Sequence, residues 1–193
     1  MSPPNDRFLT LEHLRTKIEA GEVDTVVLAF TDMQGRLQGK RLHGAYFLDV
    51  ALEHGTEGCN YLLAVDIDMN TVHGYAMSSW DTGYGDMEFV PDFDTLRVLP
   101  HLPGTAMVQC DLVWLDHAPV LQSPRTVLKT QLERAHAGGW QALAGTELEF
   151  IAFDTPYEQA WNQRYRDLVP SNQYNVDYSL LGTSRVEPLL RDI

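Results

Sequence analysis

Two glutamates one residue apart, Glu147 and Glu149, are the residues of this sequence best suited to chemistry. They lie in an otherwise apolar run, residues 140–153, which predicts a β-strand. Both carboxylates would then project from one face, with Cα atoms about 7 Å apart. Buried carboxylates need a compensating cation or dense hydrogen bonding, and Mg²⁺ or Mn²⁺ would provide it. The pair therefore indicates a metal site, although an exposed strand with a wet face would carry the same residues.

A second polar group, Ser78-Ser79-Trp80-Asp81, lies in an irregular stretch at 66–86. Irregular stretches of this length within a compact domain are usually functional or mobile. Asp81 and Trp80 could attract and cover a cationic amine, because a cation is drawn both to a carboxylate and to the face of an indole ring. The alternative is a simple turn cluster of hydroxyls and an acid.

Composition narrows the classes of protein. The chain has 193 residues, 44% of them hydrophobic, which is enough for one or two packed domains. Its net charge of -13 argues against a nucleic-acid partner, because no basic stripe is present to neutralise phosphates. No apolar run of membrane-spanning length and no signal peptide is recognisable, so we expect a cytoplasmic protein that does not bind membranes. Cys59 and Cys110 are predicted to be reduced core thiols.

The elements that must position these groups follow from local patterns. After a polar tail at 2–7, Thr10 is expected to cap a helix that ends at Gly21. A hairpin follows, with strands at 25–30 and 37–42, and then a helix at 44–54. Further strands are predicted at 61–65, 89–90, 96–99 and 106–113. Pro91-Asp92 and the stretch at 100–104 are predicted to separate the last three. These elements favour a mixed sheet with helices on one face.

The C-terminal part begins with a helix signal, Ser123-Pro124, a capping serine followed by proline at the first helical position. Its predicted buried stripe comprises Val127, Leu128, Gln131, Leu132 and Ala135, and Gly138-Gly139 is predicted to end the helix. The strand with the paired glutamates comes next, and a last helix is predicted to start near Ser184. That helix reaches the C-terminus without any stop signal, which is unusual for a finished domain, so we expect the chain to be truncated.

In this order, the segments resemble the N-terminal part of the glutamine synthetase family over about residues 22–193. The resemblance is carried by Val-Val-Leu-Ala-Phe-Thr-Asp-Met-Gln-Gly-Arg at 26–36, Gly-Asp-Met-Glu-Phe-Val-Pro-Asp at 85–92, Ser-Pro-Arg at 123–125 and Gly-Thr-Glu-Leu-Glu-Phe at 145–150. It implies an α+β protein: an N-terminal tail and helix at 1–21, a β-grasp-like domain at 22–116, and the first helix-strand part of a catalytic domain at 117–193, which is incomplete.

The resemblance implies an ATP-dependent ligase that joins the γ-carboxylate of glutamate to ammonia or a small amine through γ-glutamyl phosphate. Two Mg²⁺ or Mn²⁺ ions are implied, with Glu147 on the nucleotide side and Glu149 on the glutamate side. A ring-shaped homo-oligomer is also implied, in which Asp81 would serve the amine site of a neighbouring subunit. Here Asp81 follows Ser78-Ser79 instead of preceding them, and the chain is more similar to members that use larger amines, such as γ-glutamylpolyamine or γ-glutamylethanolamide synthetases.

Two hypotheses about the function of the chain are compatible with the sequence. Two carboxylates cannot complete two metal shells, so the 193-residue chain alone is predicted to be an inactive portion of such a ligase. A non-catalytic homologue that keeps the β-grasp region as an assembly module is the alternative.

Overall fold

The computed structural model describes residues 8–193, so the tail expected at 2–7 lies outside the described residues. Two compact units divide the chain: the first ends at Ala142, and the second is Leu143–Ile193. The domain boundary expected at 116/117 stays a prediction.

A five-stranded mixed sheet forms the framework of the first unit. Its strands are β1 (Thr25–Thr31), β2 (Leu37–His43), β3 (Glu57–Cys59), β4 (Asp86–Val98) and β5 (Thr105–Trp114), in the order β2-β1-β5-β4-β3. β1 runs parallel to β5, and the other neighbours are antiparallel. The expectation of an α+β fold with a mixed sheet is confirmed, and the β-grasp assignment stays a prediction.

The core lies against this sheet. Phe30 of β1 and Phe89 of β4 are each 2% exposed, and their ring centroids are 5.2 Å apart. Leu14, on helix α1 (Leu11–Glu19), is fully buried in the same cluster.

Cys110 of β5 is also buried, and burial raises the pKa of its thiol to about 12. Cys59 is only half-buried, so the two thiols differ in access.

Local signals place the first elements as predicted. The Thr10 side chain accepts a hydrogen bond from the His13 amide and starts α1. The turn after β1 brings β2 back as its antiparallel partner. The predicted helix at 44–54 forms as α2 (Gly44–Tyr46), a π-helical stretch (Phe47–Ala51) and α3 (Leu52–His54). It ends at Gly55, whose φ of 76° is one that glycine adopts without strain.

The predicted strand at 61–65 is wrong, because Asn60–Leu63 is a 3-10 helix. A short buried apolar run does not separate a strand from a helical turn, and here Leu63, Ala64 and Val65 are all buried in succession.

The predicted break at Pro91-Asp92 is also wrong, because β4 continues through it and Pro91 pairs with Cys110. β3 pairs with β4 only at Asp86, Met87 and Glu88. Beyond Phe89, whose amide still donates to the Thr56 carbonyl, β4 is an edge strand, where proline costs no ladder hydrogen bond. Pro91-Asp92 instead lies beside an irregularity of the strand, because the register of β4 against β5 shifts between Asp92 and Arg97.

Helix α4 (Pro124–Ala137) starts with the predicted proline and ends at the predicted Gly138. The expected cap is absent, because the Ser123 side chain makes no capping hydrogen bond. The predicted burial of its apolar stripe is wrong: Val127, Leu128 and Leu132 are 49%, 59% and 45% exposed. Polar contacts, described below, hold this helix against the sheet.

The second unit contains α5 (Tyr157–Asn162), α6 (Leu180–Ser184) and α7 (Glu187–Asp192). The predicted last helix is therefore present as α7. The predicted strand with the two glutamates is not formed: residues 140–150 have no regular structure and are exposed throughout. A strand requires a ladder partner, and within the described residues only an isolated bridge, Phe153 with Pro170, occurs next to this segment. None of the described helices is long and apolar enough to cross a membrane.

Candidate functional site

Glu147 and Glu149 are both solvent-exposed in this structure. Their neighbours Leu148 and Ile151 are 71% and 76% exposed, so the pair is not enclosed by apolar side chains. Water therefore solvates both carboxylates, so neither carboxylate needs a cation to offset burial. Their assignment as metal ligands rests on the family resemblance and stays a prediction.

An open cleft of about 1030 Å³ in the second unit gives Glu149 a setting that Glu147 lacks. Glu149, Asp177, Asn172 and Asn175 contribute oxygen-bearing side chains to its lining. Oxygen ligands are the type that Mg²⁺ and Mn²⁺ prefer, so the donor chemistry fits a hard divalent ion. In the part of the chain that the structure describes, no three His, Cys, Asp or Glu side chains group closely enough to hold a metal ion.

Asp81 lies in the first unit, exposed on the irregular stretch at 66–85. Trp80 beside it is 72% exposed. The Trp80 ring meets the Tyr84 ring edge to face, with centroids 5.3 Å apart, and Tyr84 meets Tyr61 in the same manner at 6.1 Å. An exposed carboxylate next to an exposed but supported indole is an arrangement that can attract a cationic group. Trp80 and Asp81 are thus both exposed on this stretch, and the assignment of Asp81 to an amine site stays a prediction.

A buried carboxylate organises the turn between β1 and β2. Asp32 is 1% exposed and accepts four hydrogen bonds, from the amides of Gln34 and Arg36 and from the side chains of Arg36 and Gln38. Burial raises the pKa of Asp32, but these hydrogen bonds outweigh burial and hold the pKa below its ordinary value of 3.8. Asp32 therefore stays ionised and fixes the Arg36 guanidinium.

Arg125, from the Ser-Pro-Arg motif, attaches α4 to the sheet. Its Nε donates to Asp111 at 2.9 Å, its Nη1 donates to Gln109 at 2.8 Å, and its Nη2 is paired with Asp92. Lys129, one turn along, also pairs with Asp111. The motif that carried the resemblance thus has a structural task, the docking of α4 onto β4 and β5.

Sequence reasoning missed Asn60, which is 4% exposed and bonds to two points of the stretch at 66–85. An asparagine directly before an apolar run has no special local signal. Its partners, Met77 and Gly85, lie 17 and 25 residues away in the sequence.

Comparison with known proteins identifies the class. Residues 121–193 match the catalytic domain of glutamine synthetase. The chain is 64% identical over 185 residues to gamma-glutamylethanolamide synthetase GlnA4 of Streptomyces coelicolor, covering 96% of this chain and 40% of that protein. It is 31% identical over 180 residues to glutamate--isopropylamine ligase of a Pseudomonas species, covering 93% and 39%. The chain therefore belongs to the glutamine synthetase family, which confirms the predicted resemblance.

A crystal structure of a novel glutamine synthase homolog shares the fold, with a TM-score of 0.53 at 23% identity over 75% of this chain and 35% of that one. The chain spans about two fifths of the length of the two curated relatives above.

Proposed function

We propose that this chain is part of an ATP-dependent ligase that joins the γ-carboxylate of glutamate to a small amine. The observation that carries this proposal is the 64% identity, over 96% of the chain, to a protein named for the synthesis of γ-glutamylethanolamide. The second relative is named for ligation of isopropylamine, so both names support an amine larger than ammonia.

In the proposed reaction an oxygen of the glutamate γ-carboxylate attacks the γ-phosphorus of ATP, and ADP leaves. The amine nitrogen then attacks the acyl carbon of γ-glutamyl phosphate, phosphate leaves, and the nitrogen loses a proton. The exposed Asp81 carboxylate would draw the ammonium form of the amine toward the Trp80 ring and accept its proton.

Glu147 and Glu149 would hold two divalent cations in the proposed enzyme, and these ions would neutralise the charge of the phosphates and the carboxylate. Two carboxylates supply few of the roughly six ligands that each Mg²⁺ requires. We therefore expect no turnover from the 193-residue chain by itself, and the ring-shaped homo-oligomer is likewise a proposal for the whole protein.

The assay is phosphate release from ATP by the gene product that contains this sequence. Glutamate is present throughout, and the amines are ammonia, ethanolamine, isopropylamine and a polyamine. We expect release to depend on glutamate and to be greatest with one of the larger amines. No dependence on any amine would overturn the ligase proposal and favour a non-catalytic assembly module.

Within the same protein, Glu149→Ala is expected to lower kcat by roughly a hundredfold or more, because loss of a metal ligand removes several kcal/mol of charge stabilisation. Glu158→Ala is the matched control, since Glu158 is an exposed glutamate on α5. Circular dichroism should show both variants folded. Activity of Glu149→Ala within threefold of the control would contradict the metal assignment.

A further inference from the structure

The stretch at 66–85 has the composition of a mobile loop but is fastened where it begins. Arg36 Nη1 donates to the carbonyl oxygen of Ile67 at 2.6 Å, and Gln34 Nε2 donates to that of Val65 at 3.2 Å. The buried Asp32 carboxylate holds the same guanidinium at 2.8 Å. The turn between β1 and β2 therefore fixes the start of the loop.

Asn60 fastens the later part of the loop at two points. Its Nδ2 donates to the carbonyl oxygen of Met77 at 2.8 Å, and its Oδ1 accepts from the amide of Gly85 at 3.3 Å. The Asn60 amide also donates to the Gly85 carbonyl at 2.9 Å. One side chain, 4% exposed, thereby closes residues 77–85 into a nine-residue segment with both ends at the same place.

The interior of this segment is also ordered. The Ser79 hydroxyl accepts from the Thr82 amide at 3.0 Å and lies 2.9 Å from the Thr82 hydroxyl, which forms a tight turn around Trp80 and Asp81. Tyr84 stands between the rings of Trp80 and Tyr61, in edge-to-face contact with each. The indole is thus open to solvent yet supported from one side.

We propose that Asn60 and Tyr84 are positioning residues, which hold Trp80 and Asp81 in a preformed loop that presents them to a cationic amine. Asn60 fixes the ends of the segment, and Tyr84 fixes the plane of the exposed indole. Preforming the loop removes the entropy cost of ordering it when the amine binds. The amine part of this inference rests on the proposed function, whereas the preformed loop does not.

The first test uses the 193-residue chain labelled with 5-fluorotryptophan, in which Trp80→Phe assigns the Trp80 fluorine resonance. In Asn60→Ala the Trp80 resonance should move toward that of free 5-fluorotryptophan, while the resonance of Trp114 in β5 stays in place. Tyr84→Leu, which leaves the Asn60 bonds intact, should move the Trp80 resonance in the same way.

The matched control is Asn70→Ala, an exposed asparagine of the same loop whose side chain bonds only to Asp66. It should leave the Trp80 resonance unchanged. A Trp80 resonance unmoved in a folded Asn60→Ala overturns the inference. If that variant unfolds, shown by loss of the Trp114 resonance, an unmoved Trp80 resonance in Tyr84→Leu overturns it instead.

The second test uses the gene product that contains this sequence. Asn60→Ala should raise the KM for the amine roughly tenfold and leave the KM for ATP within about twofold, because only the loop that presents Trp80 and Asp81 to the amine is loosened. If amine-dependent turnover exists and the amine KM is unchanged, the positioning role is overturned. If the protein has no amine-dependent turnover, the proposed function fails, and the fluorine result alone decides whether the loop is preformed.

Discussion

At the scale of single residues, Asp32 is a charged carboxylate that is almost fully buried. It accepts two backbone and two side-chain hydrogen bonds, and the Arg36 partner is 32% exposed at its side chain. Both oxygens are occupied by donors. An asparagine of the same shape would turn an NH₂ group toward other donors, so the shape can be kept while the interaction is lost.

We therefore expect Asp32→Asn to lower the free energy of unfolding by about 2 kcal/mol at pH 7, measured by urea denaturation. The folded-state pKa of Asp32 lies below the unfolded value, so its stabilisation is present above pH 3.8 and is lost as pH falls through the folded pKa. The difference between wild type and variant should shrink accordingly below pH 3.8.

Asp68→Asn provides the control for this experiment, because Asp68 is an exposed aspartate of the loop that Arg36 fastens. It should change stability by less than about 0.5 kcal/mol. Equal effects of the two substitutions would mean that the Asp32 hydrogen bonds add no net stability.

At the scale of elements, helix α4 shows how an element can be predicted correctly while its contacts are not. Ser123-Pro124 and Gly138-Gly139 determined its limits, because helix ends depend on local backbone chemistry. Its buried stripe was predicted from periodicity, which reports that a face is apolar and not what covers it. Attachment to the sheet instead depends on Arg125 and Lys129, whose acceptors lie on β4 and β5.

We predict that Arg125→Ala lowers the free energy of unfolding by about 2 kcal/mol, because three hydrogen bonds are lost at a site where the arginine side chain is 21% exposed, although Asp111 keeps Lys129 as a donor. Hydrogen exchange should accelerate along α4 relative to β5. Arg134→Ala on the same helix removes an exposed side chain that bonds only to Gln131 and should cost less than about 0.5 kcal/mol. If Arg125→Ala and Arg134→Ala lowered the free energy of unfolding equally, α4 would be held by something other than Arg125.

At the scale of the whole molecule, residues 140–151 are exposed without helix or strand, and the division into two units falls within them. The second unit exposes large apolar side chains, including Leu143, Leu180 and Tyr178 at 89%, 86% and 97%. Exposed irregular segments are the preferred sites of proteolysis.

Brief digestion with a glutamate-specific protease should therefore cut first after Glu147 and Glu149, as mass spectrometry of the early products would show. The double variant Glu147→Gln, Glu149→Gln should lose these products and be cut more slowly. Early cleavage inside α1 or β3 of the wild-type chain would contradict the prediction that residues 140–151 are the most accessible to the protease.

The sequence by itself determined the features that depend on neighbouring residues. These are the Thr10 cap, the hairpin of β1 and β2, the limits of α4, and the adjacency of Trp80 and Asp81. It also carried the resemblance to glutamine synthetases, because motif order along a chain is a property of sequence. The tertiary structure decided where β4 continues through Pro91, that α4 exposes its apolar face, and that residues 140–150 form no strand. It also decided that Asn60 closes the loop at 77–85. Each of these depends on a partner distant in sequence, or on the lack of one within the described residues, and local patterns do not specify such partners.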